Sequence, residues 1–237
     1  MALVGGGTIP QPGEISLSHN GVLFLDELPE FKKSVLEVMR QPLEERNITI
    51  SRAKVTVDFP ANFMLIASMN PCPCGYYNHP QKECMCATSL VQKYLQKISG
   101  PLLDRIDLHV EVTPISFDEM TGNKKNETSK IIRERVIQAR NKQTIRFQNN
   151  KDIYTNAMMS STMVKQMCQI TLKGKNLLKV AMEKLKLSAR AYDRILKVSR
   201  TIADLDDSTN IQTDHLAEAI QYRSLDREGW ALSLIHI

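Results

Sequence analysis

Two adjacent carboxylates, Asp26 and Glu27, follow directly after the four apolar residues Val22–Leu25. A continuous apolar run of this length predicts a strand that is buried on both faces. Acids at the carboxyl end of such a strand lie where open α/β sheets place their chemistry. There, one carboxylate can hold Mg²⁺ and the next can orient or deprotonate an attacking water, as in a Walker B motif. The alternative is a strand that only exits into a polar turn.

A second short apolar strand is predicted over residues 63–67, and it also ends in polar residues, with Asn70 just beyond it. An amide at a strand end can align a water or contact a phosphate oxygen. Because Pro71 follows, the alternative is that Asn70 only forms a turn.

Residues 47–59 alternate apolar and polar side chains on either side of a basic tip, which predicts a β-hairpin. Arg52 and Lys54 are the basic residues of this tip.

Four of the five cysteines form one short cluster: Cys72, Cys74, Cys84 and Cys86. Two close pairs of thiols suit a tetrahedral Zn²⁺ site, although the C-x-C spacing is tighter than the common C-x₂-C. Gly75 would permit the tight turn that such a site needs. Reduced thiols without metal, or a redox role, are the alternatives. His79 is interpreted as a bystander and the lone Cys168 as a core residue.

The chain has 237 residues, a formal net charge of +5 and a pI of about 8.9. This length suits one large or two smaller domains. The mild excess of base is compatible with a polyanionic partner. No apolar segment approaches transmembrane length and no signal peptide opens the chain, so we expect no membrane partner and a cytoplasmic location. The clustered cysteines argue against a secreted disulfide scaffold.

The elements that must position these residues fall into two parts. Residues 1–114 have the pattern of an α/β domain, with a third strand predicted over 108–112; residues 115–130 are predicted to be a linker. Residues 131–231 are predicted to be all-helical, with Ser188 as a helix N-cap and with an apolar stripe at Ile131, Ile132, Val136, Ile137 and Ala139. The tail, residues 232–237, has the sequence of a translated sequencing adapter, and we expect it to lie outside the fold.

The segments PGEISLSHNGVLFLDELPEF, SGPLLDRIDLHVEV and LSARAYDRILKVSRTIADL, in this order, resemble one family closely. The chain resembles an AAA+ ATPase of the magnesium-chelatase-like group, ComM/YifB type, from about residue 2 to residue 230. The resemblance implies an α/β fold, namely a partial P-loop NTPase core with a parallel sheet, followed by an all-helical lid.

The resemblance also implies roles for individual residues. Asp26 matches the aspartate that coordinates Mg²⁺, and Glu27 the catalytic glutamate. Asn70 matches sensor 1, Arg105 the arginine finger that acts on the next subunit, and Arg190 sensor 2 in the lid. The tip with Arg52 and Lys54 lies where related ATPases carry a pre-sensor hairpin, which in ring helicases touches the nucleic-acid backbone, a contact that carries no sequence information. An ordinary solvated tip is the alternative.

Each arginine assignment has an alternative. Arg105 could form a local ion pair with the flanking Asp104 or Asp107. Arg190 could face solvent, and Arg194 and Arg200 lie on the same predicted helix, so the choice of Arg190 depends on the resemblance.

The phosphate-binding motif G-x-x-x-x-G-K-[ST] does not occur in these 237 residues. We therefore expect this chain alone to bind ATP poorly and to hydrolyse it negligibly. For the complete protein, the resemblance implies ATP and Mg²⁺ as cofactors, a homo-oligomeric and hexameric ring, and a DNA motor for branch migration in recombination or natural transformation. The alternatives are a chelatase-type ATPase subunit that drives metal insertion through a partner, and an inert, zinc-braced assembly module.

Overall fold

The computed structural model describes residues 3–53, 55–77, 79–112, 114 and 127–223. The chain divides between Ile106 and Asp107 into two compact units, each with its own hydrophobic core. The predicted linker falls largely on residues 115–126, which lie outside the described residues, as does the predicted tail. The domain boundaries at residues 114 and 130 therefore stay predictions.

The first unit is mixed α/β, with six short strands and five short helices among its described residues. The strands are β1 Gly5–Gly6, β2 Gln11–Pro12, β3 Val22–Leu25, β4 Asn47–Arg52, β5 Val55–Pro60 and β6 Met64–Ala67. The helices are α1 Glu14–Leu17, α2 Lys33–Glu37, α3 Arg40–Glu45, α4 Thr88–Leu95 and α5 Gly100–Leu103.

Strand β3 pairs in parallel with β6, in a register that sets Leu25 opposite Ala67. The prediction of a strand at Val22–Leu25 is confirmed, but the prediction that both of its faces are buried is wrong. Leu23 and Leu25 are buried, whereas Val22 is 54% and Phe24 59% exposed. The physical reason is that no described element covers this second face.

Strands β4 and β5 form the predicted antiparallel hairpin, with Arg52 opposite Val55 at its tip. Thr49 donates a hydrogen bond across the strands to Asp58 over 2.6 Å, and the hydroxyls of Ser51 and Thr56 lie 3.0 Å apart. Cross-strand polar pairs of this kind fix the register on the face that does not enter the core.

The second unit is helical, as predicted. Its helices are α6 Ser129–Phe147, α7 Ser161–Met167, α8 Leu172–Leu185, α9 Ala189–Leu205 and α10 Thr213–Gln221. Ser188 caps α9, accepting a hydrogen bond from the Ala191 amide over 3.2 Å, which confirms the predicted N-cap. Among the residues that the structure describes, no helix is both long and apolar enough to cross a membrane.

Two predictions for this unit are wrong. Residues 108–112 form no strand, because no described strand pairs with them; the His109 amide instead donates to the Tyr222 carbonyl over 2.7 Å. In the expected apolar stripe of α6 only Ala139 is buried, and the four larger members are exposed; the buried residues of α6 are Ala139, Gln143 and Phe147. The core lies against the carboxyl-terminal half of the helix, so periodicity identified the helix but not most of its buried face.

Candidate active site and thiol cluster

Asp26 and Glu27 emerge at the carboxyl end of β3, next to the end of the parallel strand β6. The Ser68 hydroxyl donates a hydrogen bond to Asp26 Oδ1. The Glu27 amide donates to the same oxygen over 3.0 Å and also approaches Ser68 Oγ at 3.4 Å. Both carboxylates are exposed. Asp26 is therefore fixed in orientation while it can still meet a ligand from solvent.

Glu27 has a left-handed backbone conformation, with φ of 50° and ψ of 51°. Non-glycine residues seldom adopt this region, and the strained ones cluster at functional sites. Two contacts hold the turn in place: the Leu28 amide donates to the Ser68 carbonyl over 2.9 Å, and the Ser68 amide donates to the Leu25 carbonyl over 3.0 Å.

Asn70 is exposed and lies three residues beyond the end of β6, at the same sheet edge as the two acids. Burial and the charge of Glu30 raise the pKa of Tyr94, while a hydrogen bond with the Asn70 backbone acts against this rise. Tyr94 belongs to α4 and is itself buried.

The four clustered cysteines converge, with all four Sγ atoms within 4.8 Å of one another. The Sγ atom of Cys72 lies 3.3 Å from that of Cys74 and 3.7 Å from that of Cys84. Four thiolates around a tetrahedral Zn²⁺ would lie about 3.8 Å apart, given Zn–S bonds of ~2.3 Å. Cys72 is fully buried. The sulfur geometry fits one metal ion.

The backbone and charge at this cluster also suit a metal. Gly75 has a φ of +80°, the left-handed turn that the sequence predicts, and its amide donates to the Cys72 carbonyl over 3.0 Å. A backbone hydrogen bond from Tyr76 and the thiol of Cys72 lower the pKa of Cys74 to about 6. A thiolate is the form that binds metal. His79 is not one of the group, since its Nδ1 accepts hydrogen bonds from the Gln81 and Lys82 amides, each over 3.1 Å.

Cys168 lies in the hydrophobic core of the second unit, as predicted. Burial raises its pKa to about 11. The thiol is thus protonated and inert at neutral pH.

Arg105 is not exposed at a surface; its side chain is only 7% accessible. It forms an ion pair with Glu44 of α3 and donates to the Pro101 carbonyl over 2.6 Å. The sequence suggested an ion pair of Arg105 with a flanking acid. Asp107, one of these acids, instead pairs with Arg194 in the second unit.

The three arginines of α9 have different surroundings. Arg190 lies in the first turn and is exposed. Arg194 pairs with Asp107, and Arg200 is buried against Asp204, with an ion-pair distance of 3.2 Å. Arg194 and Arg200 are therefore committed to structural ion pairs within this unit.

Arg52 is exposed at the hairpin tip, where its Nε donates to the Gly7 carbonyl over 3.2 Å and its Nη1 to the Ser51 carbonyl over 3.1 Å. Lys54 lies outside the described residues. Backbone carbonyls position the Arg52 guanidinium without neutralising its charge, so it can still attract an anion.

Sequence reasoning missed three residues that complete these sites: Ser68, which orients Asp26, and the ion-pair partners Glu44 and Arg194. A hydroxyl directly after the predicted strand 63–67 is a local signal that could have identified Ser68. Glu44 lies 61 residues before Arg105, and Arg194 lies 87 residues after Asp107, so no local pattern indicates these pairs.

A parallel sheet with acids at its carboxyl edge, followed by a helical unit, is the arrangement of an AAA+ type of nucleotide-binding protein. The comparisons with known proteins agree with this class. Residues 1–120 match the family model described as magnesium chelatase, subunit ChlI, and residues 126–223 match the model of the ChlI C-terminal region. The chain belongs to this magnesium-chelatase family and is of the ComM/YifB type.

Two relatives show the type. The chain is 48% identical over 228 residues to the competence protein ComM of Haemophilus influenzae, which covers 95% of this chain and 43% of the relative. It is 43% identical over 228 residues to YifB of Escherichia coli, covering 95% of this chain and 44% of the relative. The chain therefore spans less than half the length of the curated relatives that it matches.

Proposed function

We propose that this chain carries the water-activating part of an AAA+ ATPase, a ring-shaped, hexameric DNA motor for branch migration in recombination or natural transformation. The observation that supports it best is the pair Asp26 and Glu27 at the carboxyl edge of β3, with Asp26 oriented by Ser68. The competence role in the printed name of the Haemophilus influenzae relative supports the choice of DNA as the partner.

The site residues would divide the work of phosphoryl transfer. Asp26 would hold Mg²⁺, which supplies charge neutralisation on the phosphates. Glu27 would accept the proton of the attacking water and Asn70 would align that water. Ser68, by donating to Asp26 Oδ1, would keep the carboxylate turned toward the ion.

Two arginines would act at the nucleotide of a ring. Arg105 would act in trans on the neighbouring subunit, where its guanidinium would stabilise the charge on the transferring phosphoryl group. This role requires Arg105 to exchange its present partner Glu44 for a phosphate. Arg190, exposed in the first turn of α9, would connect the helical unit to the nucleotide state.

The basic hairpin tip would contact the backbone of DNA through Arg52 and Lys54. Arg52 supports this part of the proposal by its exposure and by having only carbonyl groups as described hydrogen-bond partners. These contacts would be independent of sequence and sensitive to salt.

The four thiols would hold a structural Zn²⁺ close to the nucleotide site. Cys72 follows Asn70 by two residues, so a metal at Cys72 would limit the movement of the segment that carries Asn70. The sulfur spacing supports this assignment.

A chelatase-type motor subunit, which would drive metal insertion through a partner protein, is the second candidate. The match of residues 1–120 to the ChlI model favours it. An inert, zinc-braced assembly module is the third, because the phosphate-binding motif does not occur in the 237 residues. The DNA motor and the chelatase subunit differ in their dependence on DNA; the inert module would not hydrolyse ATP.

The test is ATP hydrolysis with and without a four-way DNA junction, by a form extended at its N-terminus to include a phosphate-binding loop. We expect strong stimulation by the junction and its loss in Glu27→Gln. Glu30→Gln is the matched control, since Glu30 is an exposed acid of the same segment. Hydrolysis that ignores DNA would favour the chelatase-type motor. Hydrolysis that survives Glu27→Gln would mean that the active site is misplaced.

A further inference from the structure

The excess of basic over acidic residues in this chain lies in its helical unit. Residues 1–106 contain 10 Lys and Arg and 10 Asp and Glu, whereas residues 127–223 contain 18 and 10. Several of the acids in the second unit are occupied: Asp204 pairs with Arg146 and Arg200, and Asp207 pairs with Lys142. An excess of unpaired base therefore lies on the surface of this unit.

Helix α8 carries a large share of that excess. Lys173, Lys175, Lys179 and Lys184 are all exposed, and none of their ammonium groups forms a hydrogen bond or ion pair with a described residue. The acid on this helix is Glu183, one turn after Lys179, and no ion pair joins the two. The buried side of α8 is formed by Gly174, Leu178 and Ala181.

The placement of three of these lysines opposes the stability of the helix, whereas Lys184 lies in the last turn, where the helix dipole favours a cation. Lys175 and Lys179 are separated by one turn, where like charges repel. Lys173 and Lys175 lie in the first turn, which the helix dipole makes unfavourable for cations and favourable for anions. A bound polyanion would neutralise the repulsion between the lysines and would place negative charge near the positive end of the helix dipole.

At 3.6 residues per turn, the lysines fall in two rows along the edges of the exposed half of α8. Lys175 and Lys179 form one row, and Lys173 and Lys184 the other. Leu172, Asn176, Val180 and the acid Glu183 lie between the rows and are exposed, so the lysines outnumber the acid on this face by four to one. This strip offers no aromatic residue and no continuous apolar face to enter a bilayer. The rows span about 16 Å, over which duplex DNA carries about ten phosphate charges.

We propose that the exposed face of α8 is a docking surface for the phosphate backbone of duplex DNA, separate from the hairpin tip. This proposal rests on the proposed DNA-directed function and adds the helical unit as a second point of contact. Binding through four lysine point charges would be independent of base sequence and would weaken steeply with salt.

The test uses the 237-residue chain and fluorescence anisotropy with a labelled duplex of mixed sequence, from about 50 to 200 mM salt. In the variant K173Q/K175Q/K179Q/K184Q we expect affinity to fall more than about tenfold and the salt slope to decrease by about 3 to 4. Glutamine keeps helix propensity, and circular dichroism checks that the fold is retained. The Lys→Arg variant at the same positions should bind as the unchanged chain does.

The matched control is K32Q/K33Q/K93Q/K151Q, which removes the same charge from exposed positions elsewhere. The slope of log affinity against log salt concentration should differ from that of the unchanged chain by no more than about one. Equal losses in both variants would mean that net charge alone drives binding, and would overturn the α8 surface. The proposal would also be overturned if the unchanged chain bound anionic phosphatidylserine vesicles but not the duplex.

The two proposals can fail separately. If the quadruple variant loses duplex binding while ATP hydrolysis by the extended form ignores DNA, the α8 surface stands and the motor function does not. If hydrolysis responds to the junction while the quadruple variant binds duplex like the unchanged chain, the α8 surface alone is wrong.

Discussion

At the scale of single residues, Asp204 is a buried acid of the helical unit that pairs with two arginines. It is buried and accepts hydrogen bonds from Arg146 at 2.5 and 2.7 Å and from Asn156 at 2.8 Å, with Arg200 as a second cation. We expect Asp204→Ala to lower the free energy of unfolding by about 3–5 kcal/mol, because buried guanidinium charges lose their partner. Urea denaturation measures this, and Asp152→Ala, at an exposed position, should change it by less than about 0.5 kcal/mol.

The same residue gives a pH dependence. Burial would raise the pKa of Asp204, but the hydrogen bonds from Arg146 and Asn156 and the nearby positive charges outweigh it and lower that pKa. A lowered pKa in the folded state contributes stability above the unfolded value and loses it as pH falls through the folded value. The stability difference between the unchanged chain and Asp204→Ala should therefore shrink below about pH 4. A difference that stays constant down to acid unfolding would contradict this account.

Arg105 has a position in the structure that differs from the one its proposed function requires. As an arginine finger it must reach a neighbouring subunit, yet here it is buried against Glu44 and the Pro101 carbonyl. We expect Arg105→Ala to destabilise the first unit by about 1–3 kcal/mol, since both acceptors lose a charged donor. Arg52→Ala at the exposed tip is the control, measured by the same denaturation. An unchanged midpoint in Arg105→Ala would show that the Glu44 pair is weak and easily exchanged.

At the scale of elements, the thiol cluster offers a test that needs no enzymatic activity. We expect about one zinc per chain after purification and a large loss of zinc in Cys74→Ser, because one of four ligands is removed. Elemental analysis gives the stoichiometry. Cys168→Ser should retain the metal, since Cys168 lies in the other unit. A metal-free chain with intact fold would favour the reduced-thiol alternative.

Elements were predictable where local pattern decides them. The hairpin of residues 47–60, the strand Val22–Leu25 and the Ser188 cap depend on alternation, an apolar run and a capping hydroxyl, all visible in a few residues. The second face of β3 was not predictable, because an apolar run specifies only that both faces need cover, while other segments must supply it. For the candidate site, the local pattern located the acids at a strand end, whereas the pairing of Arg105 with Glu44 is set by tertiary packing.

At the scale of the whole chain, two separate cores and an uneven charge lead to one prediction. The contacts of residues 107–112, namely Asp107 with Arg194 and the His109 amide with the Tyr222 carbonyl, lie within the second unit. A fragment of residues 107–223 should therefore fold by itself, with a helical circular dichroism spectrum and a cooperative melt. Since the excess of base lies between residues 127 and 223, this fragment should also bind duplex DNA with nearly the salt slope of the whole chain. A fragment that folds but does not bind would place the DNA contact on the first unit, where Arg52 is the exposed base at the hairpin tip.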